Sequence, residues 1–269
     1  MAKRVLITGA ASGFGKGTAI ELARRGHTVF AGVEIAPQKT TLLMAAKEAD
    51  VELSVLLLDI TNEAERRAAF RHEIDVLINN AGVMETGPVA EIPMELVRRN
   101  FEVNVFGTLA MTQGFAPQMV HRGSGKILIV SSMGGLITVP LGAIYTATKH
   151  ALESLAEGLK AELAGTGVEV CVANPGPFGT GFNDRGLEMM QRWFDPATTL
   201  SRSELFKSLD GVLDNQLDPQ LMIDTLVRLA EEESSKYRTV VPAEITPWLK
   251  AIQAKAWDVG RDDALWIDP

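Results

Sequence analysis

Arg4-Val5-Leu6-Ile7-Thr8-Gly9-Ala10-Ala11-Ser12-Gly13-Phe14-Gly15-Lys16-Gly17 is the stretch on which the fold turns. A short apolar run reads as a strand, a glycine-rich turn follows, and the chain then takes on helical period. Glycine lets the backbone turn tightly and approach a ligand with no Cβ in the way. The helix that follows presents unpaired N–H groups and a positive dipole end to an anion. A strand, turn and helix so arranged hold a pyrophosphate at the edge of an open α/β sheet. The spacing is Gly9, three residues, Gly13, one residue, Gly15, which is not the general GxGxxG, and a purely structural turn is the alternative.

The same rhythm continues outward. Apolar, β-branched runs occur at 4–8, 28–33, 55–58, 76–78, 126–130 and 168–173, with a seventh candidate at 239–241. Runs apolar on both faces suit strands of a parallel sheet covered on both sides. Between them lie helix candidates at 15–25, 40–49, 63–71, 94–120, 143–164 and 219–232. This alternation predicts an α/β fold, a doubly wound parallel sheet of about seven strands with helices on both faces. No linker divides the 269 residues, so one domain is expected over 1–269. From about 177 to 218 the rhythm breaks into Gly, Asn, Asp, Arg, Met and aromatics, an insertion read as a mobile lid over the substrate, with an extra pair of surface helices as the plainer alternative.

Composition narrows the function. Apolar residues make up 46% and charged residues 22%, and the formal charge is −8, which disfavours nucleic acid and anionic membranes as main partners. No apolar stretch nears the ~20 residues of a membrane span, and the N-terminal run is too short for a signal peptide. The single cysteine, Cys171, sits in an apolar run and reads as a buried small hydrophobe. A cytoplasmic protein fits these features. No cluster has metal-ligand spacing, so no metal is expected.

Tyr145-Thr146-Ala147-Thr148-Lys149 opens a helical segment. Residues four apart share a helix face, roughly 5–6 Å between Cβ atoms. A lysine ammonium there is expected to favour the tyrosinate and so bring the phenol toward the working range. A phenol so tuned can exchange a proton with an alcohol oxygen. Ser131-Ser132 ends the fifth apolar run, where doubly wound folds place their chemistry, and its hydroxyl can hold a substrate oxygen. His27, His72, His121 and His150 lie in no hydrolase-like context and read as structural or solvent-facing.

Together these residues resemble the short-chain dehydrogenase/reductase family over nearly the whole chain, with a Rossmann-like fold. The motifs occur in the family's order: Thr8-Gly9-xxx-Gly13-x-Gly15, Asp59, Asn79-Asn80-Ala81-Gly82, Ser132 with Tyr145-xxx-Lys149, and Asn174-Pro175-Gly176 leading to Thr180. The resemblance implies that Tyr145 is the acid or base, that Lys149 tunes it and binds the nicotinamide ribose, that Ser132 steadies the substrate oxygen, and that Asn104 positions a relay water. It implies a nucleotide contacted by Gly9, Ser12, Gly13, Phe14, Gly15, Glu34, Asp59, Ile60, Asn80, Ala81, Gly82, Pro175, Gly176, Phe178 and Thr180 besides Tyr145 and Lys149. Asp59 would accept from the adenine amine, residues 80–82 would run under the adenosine ribose, and Thr180 with the backbone near Phe178 would hold the carboxamide.

The sequence also departs from the family. The interval from Asp59 to Asn79 leaves room for only a brief helix, and Phe178 stands where a smaller β-branched residue is usual. At the cofactor-specifying end Val33 takes the usual acid position and Glu34 the next, where NADP binders often carry arginine. Ser12 replaces a basic residue common in those binders. NAD is therefore expected over NADP, with Lys16 and Lys39 as counterweights. Met84, Gly134, Leu136, Val139, Leu141, Pro177, Phe178, Phe182, Met190 and Trp193 are expected to line an apolar pocket for a hydrophobic or aromatic alcohol or ketone, with no partner for an anionic group. The resemblance also implies a homodimer or homotetramer through the helices at 94–120 and 143–164. A nicotinamide-sensing binding protein, or an epimerase or dehydratase on the same scaffold, is the alternative function.

Overall fold

Strands with no polar face can be buried on both sides, and the inner strands of this sheet are. The computed structural model describes residues 1–201, 205–206, 213–261 and 263. The strands are β1 (Arg4–Ile7), β2 (Thr28–Val33), β3 (Ser54–Leu57), β4 (Val76–Asn79), β5 (Gly125–Val130), β6 (Val168–Pro175) and β7 (Arg238–Val241). All pair in parallel in the order β3-β2-β1-β4-β5-β6-β7. The expected doubly wound sheet is thus found. Side chains alternate across it: Val5 and Ile7 join one core with Leu42, Met222 and Leu226, while Leu6 joins another with Met111, Phe115 and Leu152. β1 has β2 on one side and β4 on the other, so the chain leaves it in opposite directions and opens a crevice at the strands' carboxyl ends.

The helices are α1 (Gly13–Arg24), α2 (Ala36–Glu48), α3 (Glu63–Ala69), α4 (Met94–Phe101), α5 (Thr108–Arg122), α6 (Ala143–Glu162), α7 (Phe182–Gln191), α8 (Gln220–Glu231) and α9 (Thr246–Lys255). α2 starts four residues before its expected position at 40, because Pro37 suits a first turn and the Gln38 side chain accepts from the Glu34 and Ile35 N–H groups at 2.9 and 3.2 Å. The brief helix expected after Asp59 is α3. The segment 94–120, expected as one helix, is interrupted by a π turn over Glu102–Gly107. Asn104 is the cause in packing terms: fully buried, it is turned inward to bond neighbouring segments rather than left on the helix surface. Part of the stretch 177–218 is helical, as α7. Its residues 202–204 and 207–212 lie outside the described residues, as do 262 and 264–269 at the end of the chain. Cys171 is buried in the core of β6. Among the described residues no helix is long and apolar enough to cross a membrane.

Two lysines finish α8. Lys3 Nζ donates to the carbonyls of Ala230 (2.8 Å) and Glu231 (2.9 Å). Lys126 Nζ donates to Leu229 and Glu232, both at 2.7 Å, and stands 3.0 Å from Glu169 Oε2. Cations at a helix C-terminus satisfy orphan carbonyls and complement the dipole. Lys126→Met removes the cation from Glu169 and the Nζ donor from the Leu229 carbonyl, leaving Glu232 only its longer bond from Lys3, and is expected to lower the unfolding free energy in urea by about 3 kcal/mol.

Candidate active site

The crevice is a cleft of about 1290 Å³ running from the glycine turn to α6 and α7. Its floor is a knot between the ends of β1 and β4. The Thr8 hydroxyl accepts from the Asn80 and Ala81 N–H groups, both at 3.0 Å, and Asn80 Nδ2 donates back to the carbonyls of Thr8 (3.0 Å) and Gly9 (3.1 Å). Gly9 has φ +66°, and a Cβ there would lie 2.7 Å from Ala81 Cα. Gly13 has φ +52° and abuts Thr180, so the turn and the loop after β6 close on each other. A Cβ at Gly15 would lie 2.5 Å from the Gly9 carbonyl and 2.6 Å from Asn80 Nδ2.

Of the residues expected around a nucleotide, Gly9, Ser12, Gly13, Phe14, Glu34, Asp59, Ile60, Asn80, Ala81, Gly82, Tyr145, Lys149, Pro175, Gly176, Phe178 and Thr180 all line this one cleft. Gly15 does not; its smallness serves the packing of the turn beneath. Asp59 is set by its own loop, Oδ1 accepting from Thr61 N–H (2.8 Å) and the Thr61 hydroxyl (2.7 Å). Glu34 and Gln38 border one end, whereas Lys16 sits in a shallow groove on the outer side of α1, and Lys39 does not line the cleft. Phe178 is buried, its ring edge-on to Phe14 at 5.3 Å.

At the other end, α6 brings Tyr145 and Lys149 to the same wall. The Lys149 ammonium lies 5.6 Å from the centre of the Tyr145 ring and donates to the Val130 carbonyl at 3.0 Å. Lys149 is buried, and that pulls its pKa down to about 8, the Glu153 carboxylate acting in the other direction. Tyr145 keeps part of its surface open to the cleft, yet burial pushes the phenol up to about 12, opposed by its hydrogen bond with Ser132. The spacing predicts a lowered phenol; in the protein alone, loss of water outweighs the Ser132 hydrogen bond. Ser132 Oγ accepts from Gly134 N–H at 3.0 Å, so its own hydrogen is the one that reaches the Tyr145 oxygen at the cleft wall.

Asn104 stands behind this wall rather than on it. Its side chain accepts from Val83 N–H at 2.8 Å and donates to the Val83 carbonyl (2.8 Å) and the Thr148 hydroxyl (3.0 Å). The amide holds the loop after β4 against α6. Gly82 lies over it: a Cβ there would meet Asn104 Oδ1 at 3.3 Å and Lys149 Nζ at 3.8 Å.

The pocket expectation holds for Met84, Gly134, Val139, Pro177, Phe178 and Phe182. Leu136 instead joins a small cluster with Ile137, Leu249 and Ile252; Leu141 and Met190 are buried. Trp193 packs on Gly87 and Phe194. The sequence reading missed Arg99, Arg185 and Trp248, which also line the cleft. The expected lack of any cation for an anionic group is therefore wrong, although Arg99 is held by Glu85 at 3.0 Å. Only the fold brings these in, since α9 was not foreseen and helix period alone cannot say which face looks into a crevice.

The short chain dehydrogenase family matches residues 3–191. The chain belongs to that family. It is an oxidoreductase. A 3-ketodihydrosphingosine reductase of Bacteroides thetaiotaomicron is 31% identical over 260 residues, 94% of this chain and 91% of that one. A short chain dehydrogenase/reductase from Burkholderia phymatum in complex with NAD, 25% identical, superposes with a TM-score of 0.82 over 99% of this chain and 98% of its own. One from Burkholderia cenocepacia in complex with NADP, 29% identical, does so with 0.71 over 96% and 95%.

The knot below the cleft gives a direct test. Gly15→Ala must displace the Gly9 carbonyl or the Asn80 amide, and is expected to weaken nucleotide binding at least tenfold in a fluorescence titration while the protein stays folded by circular dichroism.

Proposed function

We propose that the protein interconverts a hydrophobic or aromatic secondary alcohol and its ketone, using NAD(H) in preference to NADP(H). The observation that carries this is that Ser132, Tyr145 and Lys149 open onto the same cleft as the glycine turn at the N-terminus of α1. The cradle fits a dinucleotide: glycines stand where a Cβ would fill it, and the helix N-terminus faces an anion. A nicotinamide held at the Tyr145 end supplies or takes the hydride.

The protein's own groups handle the proton. In ketone reduction the Tyr145 hydroxyl gives its proton to the carbonyl oxygen; in alcohol oxidation the tyrosinate takes one. The Ser132 hydroxyl donates to the same oxygen as charge gathers there. Lys149 spends one N–H on Val130 and keeps two for ribose hydroxyls, its charge favouring the tyrosinate. Asp59 accepts from the adenine amine, Asn80, Ala81 and Gly82 pass under the adenosine ribose, and Thr180 with Pro175, Gly176 and Phe178 holds the carboxamide. Met84, Val139, Phe182 and Leu187 give the substrate an apolar wall, which agrees with the reductase of a ketosphingoid among the relatives.

For the cofactor, the carboxylate of Glu34 at the cleft's edge repels a 2′-phosphate, and neither Lys16 nor Lys39 is placed to offset it. Relatives of this fold occur with each nucleotide, so the preference rests on this chain's residues. Phe106, Val120 and Leu155, exposed on the π turn, α5 and α6, support association with a second copy.

Two measurements test the reading. Tyr145→Phe is expected to lower kcat by about 10²–10⁴-fold, with nucleotide affinity retained; near-full turnover would overturn the assignment. NADH is expected to exceed NADPH in kcat/KM by tenfold or more, about 1.4 kcal/mol; the reverse ratio would mean that Glu34 does not govern the choice.

A further inference from the structure

We infer that Glu153 is a positioning residue for the reaction: its carboxylate, on α6, clamps the turn that carries Ser132 and supplies the counter-charge to Lys149. The inference rests on the roles given to Tyr145, Lys149 and Ser132 above.

Glu153 lies one helical turn beyond Lys149 and is only 8% exposed. Its Oε1 accepts from Asn174 Nδ2 and its Oε2 from Arg238 Nη1, each at 2.6 Å. The same Asn174 amide donates to the Ser132 carbonyl at 2.9 Å. One carboxylate therefore ties α6 to β7 directly, and to the end of β5 through β6. The turn after Ser132 lies flush on it: a Cβ at Gly135 would stand 2.6 Å from Ser131 Oγ and 3.0 Å from Glu153 Cγ. Ser132 cannot shift without breaking this contact.

A buried carboxylate is not required to fill this space, since an apolar side chain of similar volume often stabilises more. What an apolar residue cannot do is act on Lys149. Burial draws that ammonium down to about 8, and Glu153 is the charge that counters it. Among the described residues the charged and titratable groups around the pair are Tyr145 beside Lys149 on α6, Arg238 of β7 against Glu153, and Tyr237, just before β7, with Glu157 of α6 near it. Asn104, Asn174 and Ser132, from the π turn, β6 and the end of β5, do not titrate in the working range. Lys149 is a cation below about pH 8 and loses its charge as pH rises through that value. Turnover that needs the cation is thus kept on the acid side and lost along an alkaline limb.

The test is the kcat–pH profile of the intact protein with nicotinamide cofactor and a ketone substrate. Glu153→Gln removes the counter-charge, so the alkaline limb moves to lower pH by about one unit, and kcat at neutral pH falls. Arg238→Gln frees the carboxylate from its other partner and moves the limb the opposite way. Glu153→Asp keeps the charge but shortens the reach to Asn174, so it lowers kcat with the limb in place. A purely structural role would lower stability or kcat in all three without moving the limb. Should Glu153→Gln fail to fold, Arg238→Gln, at a side chain 31% exposed, decides the matter. A wild-type profile with no alkaline limb, or an unmoved limb in the folded charge-altering variants, overturns the proposal. An active Tyr145→Phe would instead sink the reading beneath it, and the two failures are distinct.

Discussion

The structure depends on the hydrogen-bonded knot at which the first strand's exit meets the fourth strand's exit. Thr8 and Gly9 exchange four hydrogen bonds with Asn80 and Ala81, across a gap that a Cβ at position 9 would force apart. Each bond also satisfies a backbone group that would otherwise be stranded at a strand end, where no ladder partner continues. With that junction fixed, the N-terminus of α1 and the loop after β4 have no freedom to drift apart. The cleft's floor is therefore rigid, and its upper walls, from α6, α7 and the loop after β6, are placed relative to it.

The opposite end of the cleft is built by a different device. Tyr145 and Lys149 stand on the first turns of a long helix, and a helix holds spacing well but not depth. Depth comes from contacts behind it. Asn104 reaches across from the π turn to Thr148 and to Val83, and Lys149 is drawn onto the Val130 carbonyl. A π turn costs hydrogen-bond geometry and tends to occur where function needs it. Here it allows a buried amide to bond both the β4 loop and α6, so that the nucleotide end and the reacting end share a brace.

Much of this was legible beforehand, and the reasons differ by element. The sheet could be read because apolar runs such as 126–130 have no polar face, which only a strand covered on both sides tolerates. The residues of the cleft could be read from motif order, since Gly9, Asn80 and Thr180 follow strand ends that the topology must bring together, and Tyr145 opens the helix after β5. The helix start at Ala36 was hidden because Gln38 caps from inside the helix, a pattern without the usual Ser, Thr or Asp ahead of it. Asn104 could be found as a residue, but its commitment to Val83 could not, since that depends on how a loop lies. The phenol's shift went the other way from expectation because spacing gives proximity of charges and says nothing of how much water is lost. Pocket residues fared worst: Leu136 and Trp193 look as suitable as Met84 until the backbone decides which way each points.

The pair of lysines at the end of α8 has a consequence for how the chain folds. Lys3, which leads into the central strand, binds carbonyls more than 220 positions later in the chain. A strand near one end of this sequence is thus tied to a helix far along it. Without that helix, α1 and α2 cover this face of β1 only in part, and closing so long a loop is slow compared with forming local contacts. The layer over β1 is therefore completed by a contact far away in sequence, and its last piece docks after the local ones have formed.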